Sequence, residues 1–234
     1  MWFRQLFDPE SSTYTYVVAD DAGGDAVVID PVQGREDEIL AALAGRRLGY
    51  SVDTHVHADH ITAGSSLRAR TGARVALPAL ASDCGCADLT LADGDALRAG
   101  ALVLRVVHTP GHTPEGLSLV AEGAGAVFTG DTLLVGTCGR TDFQGGDAGA
   151  LYDSITTRLF ALPDATTVWP GHDYQGRTQT TIAAERAANA RVAGRSRAEF
   201  IALMDALDLP PPKKLAEAVP ANRRCGLDRT PQGA

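Results

Sequence analysis

The sequence predicts a layered α/β domain. Three features carry that reading: strand-like segments dominate the early chain, strands alternate with helices later, and no repeat, low-complexity tract or linker separates two independent cores. At 234 residues, 44% hydrophobic and 21% charged, the composition is that of a folded globule rather than a disordered chain.

In chain order, Trp2 to Phe7, Thr13 to Ala19 and Ala26 to Ile29 read as strands, and DDAGGD at Asp20 to Asp25 reads as a hairpin turn. Glu36 to Gly45 reads as a helix. A strand ends near Thr54, a helix runs from Asp59 to Arg70 with Gly72 as its stop, and Arg74 to Leu77 is a strand. Strands follow over Ala101 to His108, Leu117 to Ala121 and Ala126 to Phe128. A helix over Ala148 to Leu162 leads to a strand at Thr166 to Trp169. Beyond Thr178 the reading is helical, over Thr180 to Ala193 and Arg197 to Leu207, until Pro210 to Pro212 break it.

The net charge of -8 argues against nucleic acid or an anionic membrane as partner, because both need a basic face. Any anionic substrate must therefore meet local cations. No apolar run is long enough to cross a bilayer, and MWFRQLFDPESS lacks the basic segment and apolar core of a targeting signal. Cys84, Cys86, Cys138 and Cys225 lack zinc-finger spacing, and a reducing cytoplasm fits them.

Three of the six histidines lie in THVHADHITAG, at residues 54 to 64. His55, His57 and His60 follow the strand SVDT; His108 and His112 sit in RVVHTPGHT; Asp131 ends AVFTGD; and His172 follows TTVWPG. Each of these residues stands where a strand runs out, and loops at the carboxyl ends of strands are where layered α/β folds assemble sites. Positions i and i+2 of an extended segment face the same way, so His55 and His57 can address one centre. Asp59 and His60, turning by about 100° per residue in a helix, aim elsewhere. Any one of these residues has a plainer role, Asp59 as a helix N-cap for instance. The joint pattern, with Gly111-His112, Gly130-Asp131 and Gly171-His172 in order, points to metal, and glycine before each candidate ligand lets the backbone turn beside an ion.

THVHADH followed by HTPGHT, FTGD and WPGH resembles the metallo-β-lactamase superfamily, whose fold is an αββα sandwich of two mixed β-sheets flanked by helices, with metal between the sheet edges. More narrowly, GTCGRTDFQGG at Gly136 to Gly146, PGHDY at Pro170 to Tyr174 and VPANRRCG at Val219 to Gly226 resemble the persulfide dioxygenase family, also called sulfur dioxygenases. The likeness spans most of the chain. It implies one domain over residues 1 to 234, with a helical C-terminal segment and no rhodanese domain.

Ligand types alone permit two zinc ions, with His55, His57 and His112 at one site, Asp59, His60 and His172 at the other, and Asp131 bridging; such a pair would activate water for hydrolysis. The resemblance instead implies one Fe(II) per chain, held by His55, His112 and Asp131 as the catalytic centre, with open positions for water, substrate and dioxygen. His57, Asp59, His60 and His172 then orient the ligands through hydrogen bonds. The implied reaction oxidises glutathione persulfide (GSSH) with O2 and water to sulfite and glutathione. Arg140 and Tyr174 match substrate-holding positions, and Cys138 lies near them, although a buried thiol fits Cys138 nearly as well, and Cys225 likewise. Asp30 most simply ends a strand before Pro31, and a supporting role behind the ligands is the alternative. Between Asp131 and Cys138 the run is TLLVGT, where some relatives carry an arginine and glycine near Gly136 and Thr137; the resemblance thus leaves one basic substrate contact, and with it the preferred persulfide, open. Relatives are commonly homodimers. The rival reading is a dizinc thioester hydrolase similar to glyoxalase II.

Overall fold

The computed structural model describes residues 1–212 and 214–227. Two six-stranded sheets face one another. The first has the order β1 (Trp2–Asp8), β2 (Thr13–Ala19), β3 (Ala26–Ile29), β4 (Leu48–Val52), β5 (Arg74–Pro78) and β6 (Leu89–Leu91). The second runs from β7 (Ala96–Ala99) at one edge through β8 (Leu102–His108), β9 (Leu117–Ala121), β10 (Ala126–Gly130) and β11 (Thr167–Pro170) to β12 (Thr180–Thr181). Both are mixed: β1 to β3 pair antiparallel and β3 to β6 parallel, while only β10 and β11 are parallel neighbours in the second sheet.

The inner faces share a core that includes Tyr16, Val18, Ile29, Leu104, Leu119 and Phe128, all nearly or fully buried. On the outer face of the first sheet, Val17 and Val28 pack with Ile39 of α1 (Glu36–Ala42) and Leu67 of α2 (Gly64–Thr71). On the outer face of the second, Val107, Val127 and Val168 pack with Leu151 of α3 (Ala148–Asp153), Ile182 of α4 (Ile182–Ala188) and Phe200 of α5 (Arg197–Asp205). Strand alternation thus feeds two layers at once, giving the αββα sandwich. Residues that are apolar at successive positions, as in AVVI of β3, sit in strands covered on both sides.

Several segments differ from expectation. The helix expected from Asp59 begins only at Gly64, because Asp59 and His60 are held in a loop by the site described below; Ala63, not Asp59, precedes its first turn. The segment Ala148 to Leu162 is α3 followed by a π-helical turn over Ser154–Leu159. Thr180 and Thr181 extend the second sheet before α4 starts, with the Thr181 hydroxyl accepting from Ala184 N. A sixth helix, α6 (Leu215–Asn222), lies beyond the proline break, with Pro220 inside it. Cys86 and Cys225 form a disulfide that ties the end of this helix to the segment before β6. Cys225 is therefore not a buried free thiol, and cysteine spacing no longer argues for a reducing compartment. Among the described residues no helix is long and apolar enough to cross a membrane.

Candidate metal centre

Sheet direction explains why distant residues meet. β8 and β10 are each antiparallel to β9, and β10 is parallel to β11, so β8, β10 and β11 end on the same side and deliver His112, Asp131 and His172 there. In the first sheet parallel β3 and β4 end together, delivering Asp30 and His55. Main-chain bonds from Leu117 N to Thr54 O (3.0 Å) and from Tyr14 N to Gly171 O (2.8 Å) join the two sheets at this rim.

His55, His112 and Asp131 each present one donor atom within 4.8 Å of the other two. In each residue the other polar atom is already engaged. His55 Nδ1 donates to the Thr54 hydroxyl (3.0 Å), which itself donates to Asp30 Oδ2 (2.9 Å). His112 Nδ1 donates to the Arg140 carbonyl (2.8 Å), and its Nε2 lies 3.5 Å from Asp131 Oδ2. Asp131 Oδ1 accepts from His172 Nδ1 (2.6 Å). Two imidazole nitrogens and one carboxylate oxygen thus converge with their tautomers fixed from behind, a donor set suited to a divalent transition metal. Burial, reinforced by His57 and His112, holds His55 well below its ordinary pKa, so it stays neutral as a ligand must. Burial alone would raise the Asp131 carboxyl, but His172, His112 and His55 keep it ionised far below the usual range.

The other histidines have separate partners. His57 packs its ring 4.1 Å from that of His55, and its Nε2 lies 3.2 Å from Asp30 Oδ1. Burial opposes its charge, yet Asp30 and then Asp59 and Asp53 push its pKa to about 9. Asp59 Oδ2 is shared by His60 Nδ1 (2.8 Å), His172 Nε2 (3.0 Å) and the Thr13 hydroxyl (3.0 Å). His172 therefore has both ring nitrogens on carboxylates, and Asp131 and Asp59 raise its pKa well above the ordinary value despite burial. His57, Asp59 and His60 form a second group with donor atoms within 4.8 Å, and His57 Nδ1 and His60 Nε2 are buried without a partner. His108 ends β8 away from the cluster, bonded to the Pro114 carbonyl (2.9 Å).

Close backbone approach accounts for the glycines. Gly130 adopts φ 48°, and a Cβ there would collide with the Thr54 side chain; a Cβ on Gly171 would meet Asp131 Oδ1 at 2.7 Å. Asp30 does more than end a strand, and nothing local in the sequence marks Thr54 or Asn222 as partners of the site. Asp30, at φ 50°, binds Thr54 N (2.7 Å), the Thr54 hydroxyl and His57. Asn222 of α6 accepts from Thr62 N (2.8 Å) and donates to the carbonyls of His57 (2.9 Å) and His60 (2.8 Å), bracing the histidine loop from below.

A cleft opens over the cluster as two lobes of about 380 Å³ each, sharing His112, Asp131, Arg140, Tyr174 and Pro210 as a common wall. Glu10, Phe143 and Pro212 line the first lobe; Leu134, Cys138 and Arg191 line the second. Tyr174 is 73% exposed, with its ring 6.1 Å from that of His172 and nearly parallel to it. Arg140 meets the cleft but is neutralised by Asp142, through Nε (2.7 Å) and Nη2 (2.7 Å), and donates to the carbonyls of Pro210 (2.7 Å) and Leu209 (3.2 Å). Those bonds hold Leu209 and Pro210, the start of a proline strap that runs to Pro212 along the cleft. Cys138 is buried, and burial pushes its thiol up to about 11.

The sequence profile of the metallo-beta-lactamase superfamily matches residues 8–82 and 87–172. The chain is 43% identical over 231 residues to "Persulfide dioxygenase ETHE1, mitochondrial" of Mus musculus, covering 97% of this chain and 90% of that protein. It is 40% identical over 168 residues to a hydroxyacylglutathione hydrolase of Cereibacter sphaeroides, covering 70% of this chain and 64% of that one. The crystal structure of ETHE1 from Myxococcus xanthus superposes with a TM-score of 0.93 at 53% identity, covering 97% of this chain and 100% of that one.

Proposed function

Because the chain belongs to the persulfide dioxygenase family of the metallo-β-lactamase superfamily, we propose that it oxidises glutathione persulfide with O2 and water to sulfite and glutathione, using one Fe(II) held by His55, His112 and Asp131. The observation that carries the site assignment is the convergence of those three donor atoms within 4.8 Å, each fixed from behind by a separate partner. Two imidazoles and one carboxylate are a donor set that would suit a ferrous ion. When bound, the ion supplies the redox capacity that lets dioxygen react with a sulfane sulfur, which zinc lacks.

The remaining steps are the work of the protein. Asp30 through Thr54, Arg140 through its carbonyl, and His172 each fix the orientation of one ligand. His57 and His60 are buried behind them, while Asp59 reaches the first lobe of the cleft. The cleft holds the persulfide between Tyr174, Phe143 and the proline strap, orienting the terminal sulfur toward the His112 and Asp131 side of the cluster. That positioning removes much of the entropic cost of encounter.

A dizinc thioester hydrolase is the weaker reading. The hydroxyacylglutathione hydrolase likeness covers 70% of this chain, against 97% for the persulfide dioxygenase, and both nitrogens of His172 already bear on carboxylates. Metal analysis with activity assays separates the two. One iron per chain and oxygen uptake on adding GSSH are expected; two zincs with thioester cleavage would overturn the proposal. A cytoplasmic homodimer, built from a single domain, belongs to the same proposal and is read by fractionation and light scattering.

A further inference from the structure

The second lobe of the cleft contains a cation without a carboxylate. Arg191 follows α4, is half-buried, and lines this lobe with Leu134, Thr137, Cys138 and Leu209, beside His112 and Asp131. Its Nη1 donates to the Cys138 carbonyl (2.8 Å), with the Gly139 carbonyl at 3.4 Å, and lies 3.9 Å from the sulfurs of both Cys138 and Met204. Among the described residues no hydrogen bond engages its Nε or Nη2, and no acid pairs with it. Glu185 on α4 is taken up instead by Gly136 N and by the Asn189 side chain. The neighbouring Asn189 also accepts from Arg191 N (3.0 Å), which fixes the start of the side chain. Arg140, across the shared wall, has the opposite character, since Asp142 neutralises it.

The geometry points to Arg191 as the anion receptor of the cleft, with its free Nε–Nη2 edge taking a small oxyanion. A guanidinium edge matches two oxygens of one planar or pyramidal anion, and the Leu134, Leu209 and Pro210 walls strengthen the attraction by lowering the local dielectric. On a chain of net charge -8, an unpaired guanidinium beside the site is also the local cation that an anion requires. The identity of the anion rests on the dioxygenase reading: either the carboxylate of the persulfide substrate or the sulfite product presents this chemistry. The receptor itself does not rest on that reading.

The test has two arms. Calorimetry of sulfite binding to metal-free wild type, Arg191→Gln and Arg191→Lys reads the receptor without turnover. Steady-state kinetics of the iron-loaded proteins compare GSSH with 2-mercaptoethanol persulfide, which has no carboxylate. A product receptor predicts that Arg191→Gln weakens sulfite binding about tenfold or more, the loss of one charge-assisted interaction. A substrate receptor predicts a comparable rise in KM for GSSH, with kcat and the 2-mercaptoethanol persulfide KM unchanged. Arg191→Lys, keeping the charge without the fork, should fall between wild type and Arg191→Gln, and it carries the test alone if Arg191→Gln fails to fold. Unchanged sulfite binding together with an unchanged KM ratio overturns the inference, as does an equal loss with both persulfides, which marks a merely structural arginine. Wild type that binds sulfite through Arg191 but takes up no oxygen with GSSH would sink the dioxygenase reading and leave the receptor standing.

Discussion

His172 Nδ1 stands 2.6 Å from Asp131 Oδ1, and the opposite ring nitrogen reaches Asp59 Oδ2 at 3.0 Å. One imidazole thus ties a candidate ligand on β10's end to the histidine loop. Held between two carboxylates, it donates at both nitrogens and fixes which oxygen of Asp131 faces His112. Removing such a partner behind a ligand costs about 10–100-fold in metal affinity. His172→Ala should therefore weaken iron retention by that order in chelator competition while leaving the fold intact; His112→Ala should abolish retention outright. Wild-type affinity in His172→Ala would remove this residue from the centre.

Asn222 makes three bonds to main-chain groups of the histidine loop. Truncation to Ala leaves one amide and two carbonyls without these partners in a buried region, each unmet group costing about 1–3 kcal/mol. Asn222→Ala should lower unfolding free energy by roughly 3 kcal/mol in urea titration, allowing for partial hydration. Asn222→Asp should be no better, because a carboxylate keeps the acceptor but loses both donations. A change under about 1 kcal/mol would mean that the loop is held elsewhere.

Much of this was legible in the sequence. Strand-like segments and the polar residues that end them named the ends of β4, β8, β10 and β11, and His55, His112, Asp131 and His172 do converge there. What stayed hidden depends on contacts far apart in sequence. Nothing local in VPANRRCG says that Asn222 lies under His57, or that Cys225 pairs with Cys86, 139 residues earlier. Asp59 matched a helix N-cap by type, but His60, His172 and Thr13 claim its carboxylate, so tertiary demand displaced the helix start to Gly64. Arg140 matched a substrate-holding position, while the nearby Asp142 and the distant Pro210 carbonyl decide what its guanidinium touches.

The Cys86–Cys225 bond closes a long loop and anchors the end of α6, the helix that carries Asn222. Cross-links of this kind contribute typically 2–4 kcal/mol. Adding a thiol reductant should lower the melting temperature of the wild-type protein, whereas Cys86→Ser should start lower and ignore the reductant. Equal melting with and without reductant in wild type would show that the bond adds no stability.

Arg140 grips the strap at Leu209 and Pro210 while its charge is answered by Asp142. Arg140→Ala should raise the KM for GSSH through a loosened wall, and it should do so for 2-mercaptoethanol persulfide too. That shared effect distinguishes a clamp from a carboxylate contact. Arg140→Lys should rescue little, since a single ammonium cannot hold Asp142 bidentately and both carbonyls together. A defect confined to GSSH would assign Arg140 to the substrate instead.

Cys138, which is not itself a candidate ligand, offers a pH test. Burial raises its thiol from 9.0 to about 11, opposed by Arg191, so the folded protein keeps a proton that the unfolded chain releases. Between these values the unfolded state binds fewer protons, and stability must fall as pH rises, by up to about 1.4 kcal/mol per unit. Below pH 9.0 the stabilising effect of the neutral thiol is fully present. Urea titrations of metal-free protein at several pH values should therefore show a steeper alkaline decline in wild type than in Cys138→Ala. Parallel declines would mean that Cys138 titrates normally and lies open to the cleft, and iodoacetamide would then modify it in the folded protein as readily as a free thiol.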